Sequence, residues 1–260
     1  FYYHHLSANS NDSIGNAMQI DVLTLFPNMF DTIMSESMMW KARDKNLLHF
    51  QAHDIRDYTQ DKHRKVDDTP YGGGGGMVLK PDVVVRAIES VKGEADMPVI
   101  LMSPQGRVFN HQVAVELSQH ERFMLVCGHY EGFDEPIREL AITDEISIGD
   151  YVLTGGELAA MVVIDAVTRH IPGVLGSDGG QDRDSHADGL LEGPHYTRPV
   201  DFRGLSVPEV LKNGNHAHID QWRRRQAIKR TWQNRPDLLL TAELTEEEKY
   251  YLAQLANEES

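Results

Sequence analysis

Three clusters in the chain combine glycine with polar and aromatic neighbours in a way that suits ligand binding. They are Ser103-Pro104-Gln105-Gly106, Gly128-His129-Tyr130-Glu131-Gly132, and the eleven-residue run Ser147-Ile148-Gly149-Asp150-Tyr151-Val152-Leu153-Thr154-Gly155-Gly156-Glu157. Glycine lets a ligand approach the backbone closely and leaves N–H and C=O groups free to meet it. Ile148 and Leu153 offer apolar walls, and Tyr130 and Tyr151 offer aromatic faces. That mixture suits a purine better than a phosphate. A dinucleotide site of the usual kind needs glycine where the first strand enters a helix. Pro27-Asn28 stands there instead, which argues against a nucleotide-binding oxidoreductase.

A second group of residues carries charge. Residues 196–236 hold nine Lys/Arg (Arg198, Arg203, Lys212, Arg223, Arg224, Arg225, Lys229, Arg230, Arg235) against three acids (Asp201, Glu209, Asp220). Arg225 and Lys229 are spaced i, i+4, so they share a helix face. The chain as a whole is acidic, with a formal charge of −15. An acidic body with one basic segment fits an RNA binder that approaches in one direction. On this reading Arg223, Arg224, Arg225, Lys229 and Arg230 contact phosphates, and Trp222 and Trp232 pack in a small core. His216 and His218 have no acid or cysteine at ligand spacing, so no metal is expected. The single cysteine, Cys127, cannot close an internal disulfide, which fits a reducing, cytoplasmic setting.

Regular elements must position these groups. Residues 19–26, 47–53, 99–102, 123–127 and 142–148 read as strands, and residues 29–45, 80–92, 111–119, 135–140 and 157–169 as helices. Strands alternating with helices predict an α/β sheet of parallel strands over residues 18–175. Each of the three clusters then follows a strand, where the loops of a parallel sheet converge. Residues 54–69 read as a charged loop, and the glycine run 72–76 as a loop whose backbone lies close to a target base or a partner chain. Residues 176–190 are rich in Gly, Asp and Ser and read as a flexible linker, mobile without ligand. Residues 191–260 read as helical, with helices at 209–212, 220–232 and 245–256. Thr245 followed by Glu248 makes a capping box for the last of them. Residues 1–17 lack periodicity and read as a leader or expression tag, disordered and outside the fold. No apolar run is long enough to span a membrane.

The clusters, together with Ile171-Pro172-Gly173-Val174-Leu175-Gly176 and Pro194-His195-Tyr196-Thr197-Arg198-Pro199 in the same order, resemble the tRNA (guanine-N1)-methyltransferase family of the SPOUT superfamily. The resemblance runs from about residue 18 to the end of the chain. It implies a parallel sheet tied in a deep trefoil knot plus a small C-terminal helical domain that binds the tRNA anticodon arm. It also implies a homodimer with active sites shared between chains. The reaction implied is methyl transfer from S-adenosyl-L-methionine to N1 of the guanine immediately 3′ of the anticodon. The alternative within the superfamily is methylation of ribose 2′-hydroxyls or ribosomal RNA.

Carried over position by position, the cofactor pocket comprises Leu101, Ser103, Pro104, Gly128, Tyr130, Glu131, Gly132, Ile148, Gly149, Tyr151, Leu153, Thr154, Gly155 and Gly156, with Glu131 toward the charged methionine end. The catalytic pair falls on Asp184 and Arg169. Guanine N1 carries a proton at neutral pH, so the reaction needs a base there and a cation for charge growing on O6. By composition alone Asp184 is a linker acid and Arg169 a cation offsetting a helix dipole; their roles come from the resemblance. Placed on a mobile linker, Asp184 would also act as a gate, ordered only with cofactor and tRNA bound. The chain departs from the family where Gly75 replaces a usual Pro and His129 a common Arg.

Overall fold

The structure is a computed structural model that describes residues 17–176 and 184–258. Most of the leader and the linker residues 177–183 lie outside the described residues. The chain divides into two compact units, Phe1–Val174 and Leu175–Ser260.

The first unit is built on strands β1 (Met18–Thr24), β2 (Leu48–Asp54), β5 (Val99–Val108), β6 (Arg122–Cys127) and β7 (Asp144–Ser147). They form one sheet in the order β2-β1-β6-β5-β7, and every pair is parallel. Two short strands, β3 (Asp67–Asp68) and β4 (Val78–Leu79), pair antiparallel beside it. Helices α1 (Asp31–Met34), α2 (Ser37–Asp44), α3 (Pro81–Lys92), α4 (His111–Ser118), α5 (Glu135–Ala141) and α6 (Glu157–Thr168) complete the unit.

Strand side chains alternate between two cores, because successive Cβ atoms point to opposite faces. Ile20, Val22, Ile100, Leu125 and Cys127 join α1, α2, α4 and α6 on one face. Leu23, Leu101, Met124 and Val126 join α3 and α5 on the other. Burial on both faces explains why Val99–Met102 of β5 and Phe123–Cys127 of β6 read as unbroken apolar runs. Helix α3 begins at Pro81, whose missing N–H costs nothing in a first turn. It ends at Gly93, where φ is +57° and the N–H bonds Glu89 O at 2.9 Å.

The structure corrects three readings in this unit. The helix expected over 29–45 is broken into a 3-10 turn (Pro27–Phe30), α1 and α2. Ser35 turns back, its hydroxyl donating to Thr32 O, and Glu36 is extended; serine competes with helical bonding in this way. The charged loop 54–69 contains a 3-10 turn, Ile55–Tyr58, and strand β3. Strand β5 does not stop at Met102. Both Met102 and Arg107 pair with Ile146 of β7, so Ser103-Pro104-Gln105-Gly106 is a bulge inside a strand rather than a turn after it. Gly106 lies so close to the Glu145–Ile146 backbone that a Cβ would overlap it.

The second unit is not helical throughout. Strands β8 (Asp201–Phe202) and β9 (Leu205–Ser206) form a hairpin around Arg203-Gly204, both at positive φ (+55° and +82°). Positive φ at both central residues is the turn that matches strand twist. Residues 209–211 form a 3-10 turn, followed by α7 (His216–Asn234), a further 3-10 turn (Pro236–Leu240) and α8 (Glu246–Glu258). The capping box forms: Thr245 N–H donates to Glu248 Oε2 at 2.8 Å and Glu248 N–H to Thr245 Oγ1 at 3.3 Å.

Candidate functional site

All five strands of the sheet run the same way, so the β5 bulge and the loops after β6 and β7 meet at its carboxyl edge. They enclose a cavity of about 200 Å3. The loop after β6 is stitched to the start of α6. Gly156 N–H donates to Gly128 O at 2.9 Å, and His129 pairs with Gly155 as an isolated antiparallel bridge. The stitching requires glycine. A Cβ on Gly156 would stand 2.8 Å from Cys127 Cα, and one on Gly128 would stand 2.6 Å from the Phe133 ring.

The loop after β7 is shaped by its own residues. Gly149 has φ +150°, and the Tyr151 ring fills the space its side chain would take. Ser147 Oγ donates to Gly149 O at 3.0 Å, and the Tyr151 hydroxyl donates to Ile148 O at 3.3 Å. Tyr130 has φ +61° and is half exposed over the cavity. Its neighbour His129 meets the Tyr130 ring edge-on and the Phe26 ring at a tilt, with centroids 5.3 and 4.9 Å away.

Charge at the cavity comes from Glu131 and Arg138. Glu131 N–H donates to Met77 O at 3.0 Å, and its side chain lies where a Cβ on Gly76 would be. Of the glycine run 72–76 it is therefore Gly76 that bears on the cavity, by leaving room for this carboxylate; Gly72 to Gly75 have open space around them. Arg138 is held by Glu145 (Nε to Oε1, 3.0 Å) and Glu135 (Nη1 to Oε2, 3.2 Å). Beneath the loops, Thr24 Oγ1 donates to Glu157 Oε1 at 2.7 Å, and both residues are buried. Burial pushes the Cys127 thiol well up, and the negative Glu157 adds to the shift, so this cysteine is no nucleophile. The cavity wall is thus one of backbone donors and acceptors, aromatic faces, one exposed carboxylate and one guanidinium already paired to acids.

Every residue proposed for the cofactor lines this cavity except Leu101. Leu101 is fully buried on the opposite face of β5, in the core with α3 and α5. Its neighbour Met102 lines the cavity instead, as the two-residue period of a strand requires. Sequence reasoning also missed Gln105, His129, Phe133, Arg138, Ile146, Ser147, Val152 and Ala159. Gln105 and Val152 were within reach, since they sit inside the quoted clusters. Arg138 gave no signal, because it lies on α5, outside every cluster. Arg169 is the C-cap of α6, its N–H donating to Asp165 O, so the helix ends one residue earlier than expected. Asp184 opens a turn in the second unit, its carbonyl accepting from Ala187 N–H at 3.1 Å.

The basic residues on α7 are largely engaged within their own unit. Arg223 faces Asp220 at 3.6 Å and Arg225 faces Glu247 at 3.1 Å. Arg230 donates to Glu192 O at 3.1 Å. Arg224 pairs with both Asp188 and Glu248. Lys229 is exposed.

Comparison with known proteins places this architecture. Residues 18–241 match the model of the tRNA (Guanine-1)-methyltransferase TrmD family. A tRNA (guanine-N(1)-)-methyltransferase of Dehalococcoides mccartyi is 58% identical over 245 residues, covering 94% of this chain and 99% of the relative. The enzyme of that name from Brevibacillus brevis is 55% identical over 241 residues, 93% of this chain and 99% of the relative. That from Bacillus cereus is 53% identical over 240 residues, 92% and 98% respectively. With the family model matching most of its length and relatives this similar across nearly all of theirs, the chain belongs to the tRNA (guanine-1)-methyltransferase family.

Proposed function

We propose that this protein transfers a methyl group from S-adenosyl-L-methionine to N1 of the guanine immediately 3′ of the tRNA anticodon. The observation that carries the reading is the three-loop cavity at the carboxyl edge of the parallel sheet, lined by the glycine-rich clusters. The relatives' names supply the substrate class.

The cavity residues fit the cofactor. Gly128 and Gly156 leave backbone polar groups at the wall where any side chain would collide with Phe133 or Cys127. Ile148, Tyr130 and Leu153 supply apolar and aromatic surface for a purine, and Glu131 supplies a carboxylate for an ammonium group. When bound, S-adenosyl-L-methionine supplies an electrophilic methyl on sulfur. The residues of the chain manage the proton and the charge. Asp184 accepts the proton from guanine N1, and Arg169 steadies the negative charge that grows on O6. A free aspartate is a weak base, so proton removal is concerted with methyl transfer.

On the same reading, residues 18–175 form the knotted cofactor domain, residues 176–190 the connection, and residues 191–260 the tRNA-binding domain. The active protein is a homodimer with shared sites, working in the cytoplasm. Among the described residues no helix is long and apolar enough to cross a membrane.

The test uses unmodified tRNA transcript, purified protein and labelled cofactor, with the product digested to nucleosides. The expected product is 1-methylguanosine at the position beside the anticodon. A 2′-O-methyl nucleoside, or label in ribosomal RNA alone, would overturn the assignment.

A further inference from the structure

Arg224 has a geometry unlike that of a phosphate contact. It is 29% exposed, and each of its nitrogens is committed inside the second unit. Nη1 donates to Asp188 Oδ2, Nε to Glu248 Oε1 at 2.7 Å, and Nη2 to Glu243 O at 3.1 Å. Glu248 is itself fixed, since its other oxygen accepts from Thr245 N–H in the capping box. Asp188 is held at both oxygens: its Oδ1 accepts from Leu190 N–H at 3.2 Å. One planar guanidinium therefore ties the residue-188 end of a turn to the frame formed by α7 and the start of α8. Such a fork holds direction as well as distance.

The turn so held is the one that Asp184 opens. Its backbone closes on itself through Ala187 N–H to Asp184 O (3.1 Å) and His186 N–H to Leu190 O (2.7 Å), with His186 at φ +76°. Ser185 Oγ accepts from Glu192 N–H at 3.0 Å, and Leu191 N–H donates to Thr231 Oγ1 of α7 at 2.8 Å. Gly189 lies against Ala242. Among these ties only the one through Asp188 pairs full charges.

We infer that Arg224, acting through Asp188, is a positioning residue that fixes the turn bearing Asp184. This rests on the reading of Asp184 as the base. A general base works only within hydrogen-bond reach of its proton, and a misplacement of about 1 Å can cost about a hundredfold in rate.

The experiment uses the full chain with unmodified tRNA transcript and S-adenosyl-L-methionine, comparing Asp188→Asn, Arg224→Gln, the double variant and Asp184→Ala. Asp188→Asn is the light perturbation, and a thermal melt with cofactor titration shows that it folds. It should lower kcat about ten- to a hundredfold while KM for tRNA and cofactor affinity stay within about twofold. The double variant should be no slower than Arg224→Gln, because both break one link. If Asp188→Asn keeps full kcat while Asp184→Ala loses it, the clasp is refuted and the base reading stands. If Asp184→Ala keeps its kcat, the base reading falls and the clasp with it. If Arg224→Gln raises KM for tRNA and flattens its salt dependence at unchanged kcat, Arg224 is a phosphate contact and the inference is overturned.

Discussion

The cavity of the first unit and the basic helix of the second were both read from local composition, yet they relate to it differently. At the cavity, glycine marks places where nothing but backbone fits, and the structure uses Gly156 against the Cys127 backbone and Gly128 against the Phe133 ring in that way. On α7, a run of arginines marks charge, but Arg223, Arg224 and Arg225 each face an acid, two of them on α8. A missing side chain is a local property that sequence displays directly. Net charge on a face depends on what packs opposite it, and the acids of α8 lie some twenty residues further along the chain. Sites made of backbone are therefore more legible than sites made of charge.

The sharpest way to break this comparison is at the charged group proposed to take the proton. Asp184→Ala should lower kcat by about 10²–10⁴-fold, the usual worth of a positioned base, with cofactor affinity unchanged in a calorimetric titration. A loss under about tenfold would leave Asp184 as an ordinary turn residue.

Next comes the contrast between buried and exposed ion pairs. Asp21 of β1 is 1% exposed and takes hydrogen bonds from His53 (2.7 Å), Arg122 (2.9 Å) and Gln19 (3.1 Å). Burial alone pushes its carboxyl up, but the bonds from His53 and Arg122 outweigh it and hold the group below the usual carboxylate range. A depressed carboxylate contributes stability above its unfolded pKa, and the contribution is lost as pH falls through the folded value. Asp21→Asn should thus cost on the order of 3 kcal/mol near neutrality. The gap to the parent should close as pH drops below about 3.9 and then further, as read by denaturant unfolding across pH. A gap that stayed constant with pH would mean that the cost comes from packing and not from charge.

The glycines offer an internal control. Gly156→Ala places a Cβ 2.8 Å from Cys127 Cα, a backbone neighbour that cannot swing away. It should destabilise by about 1–3 kcal/mol and weaken cofactor binding at least tenfold. Gly75 has nothing within 4 Å and an unremarkable φ, so Gly75→Ala should stay within about 0.5 kcal/mol. Equal effects in a melting experiment would remove the distinction between stitched and open glycines.

What the sequence hid has the same character. The two-faced sheet was legible because the central strands β5 and β6 carry apolar runs that serve both sides, and the cap at Thr245 because its partners are three residues apart. The β5 bulge was not, since Ser103-Pro104-Gln105-Gly106 looks like a turn unless the pairing of both Met102 and Arg107 with Ile146 is known. Leu101 was assigned to the cavity although strand parity sends it to the opposite core. The Arg203-Gly204 hairpin was missed because its strands are two residues each, too short to show a period. The break at Ser35–Glu36 depends on a serine turning back on its own helix.

The smallest effect separates paired from unpaired charge on α7 itself. Arg225 faces Glu247 at 3.1 Å and lies 5.5 Å from the Tyr251 ring centre, both on α8. Exposed pairs of this sort contribute about 0–1 kcal/mol, so Arg225→Ala should shift stability by no more than that. Its committed guanidinium should leave tRNA affinity nearly unchanged. Lys229, one turn along and exposed, faces the opposite expectation. Lys229→Ala should leave the melting curve alone, weaken tRNA binding, and reduce the slope of log affinity against log salt by about one. Binding measured at several salt concentrations separates the two, because a phosphate contact shows in the slope and a lost internal pair does not. If Arg225→Ala changes the slope and Lys229→Ala does not, the acids of α8 yield their partners to RNA, and charge on this helix is more legible from sequence than the free structure suggests.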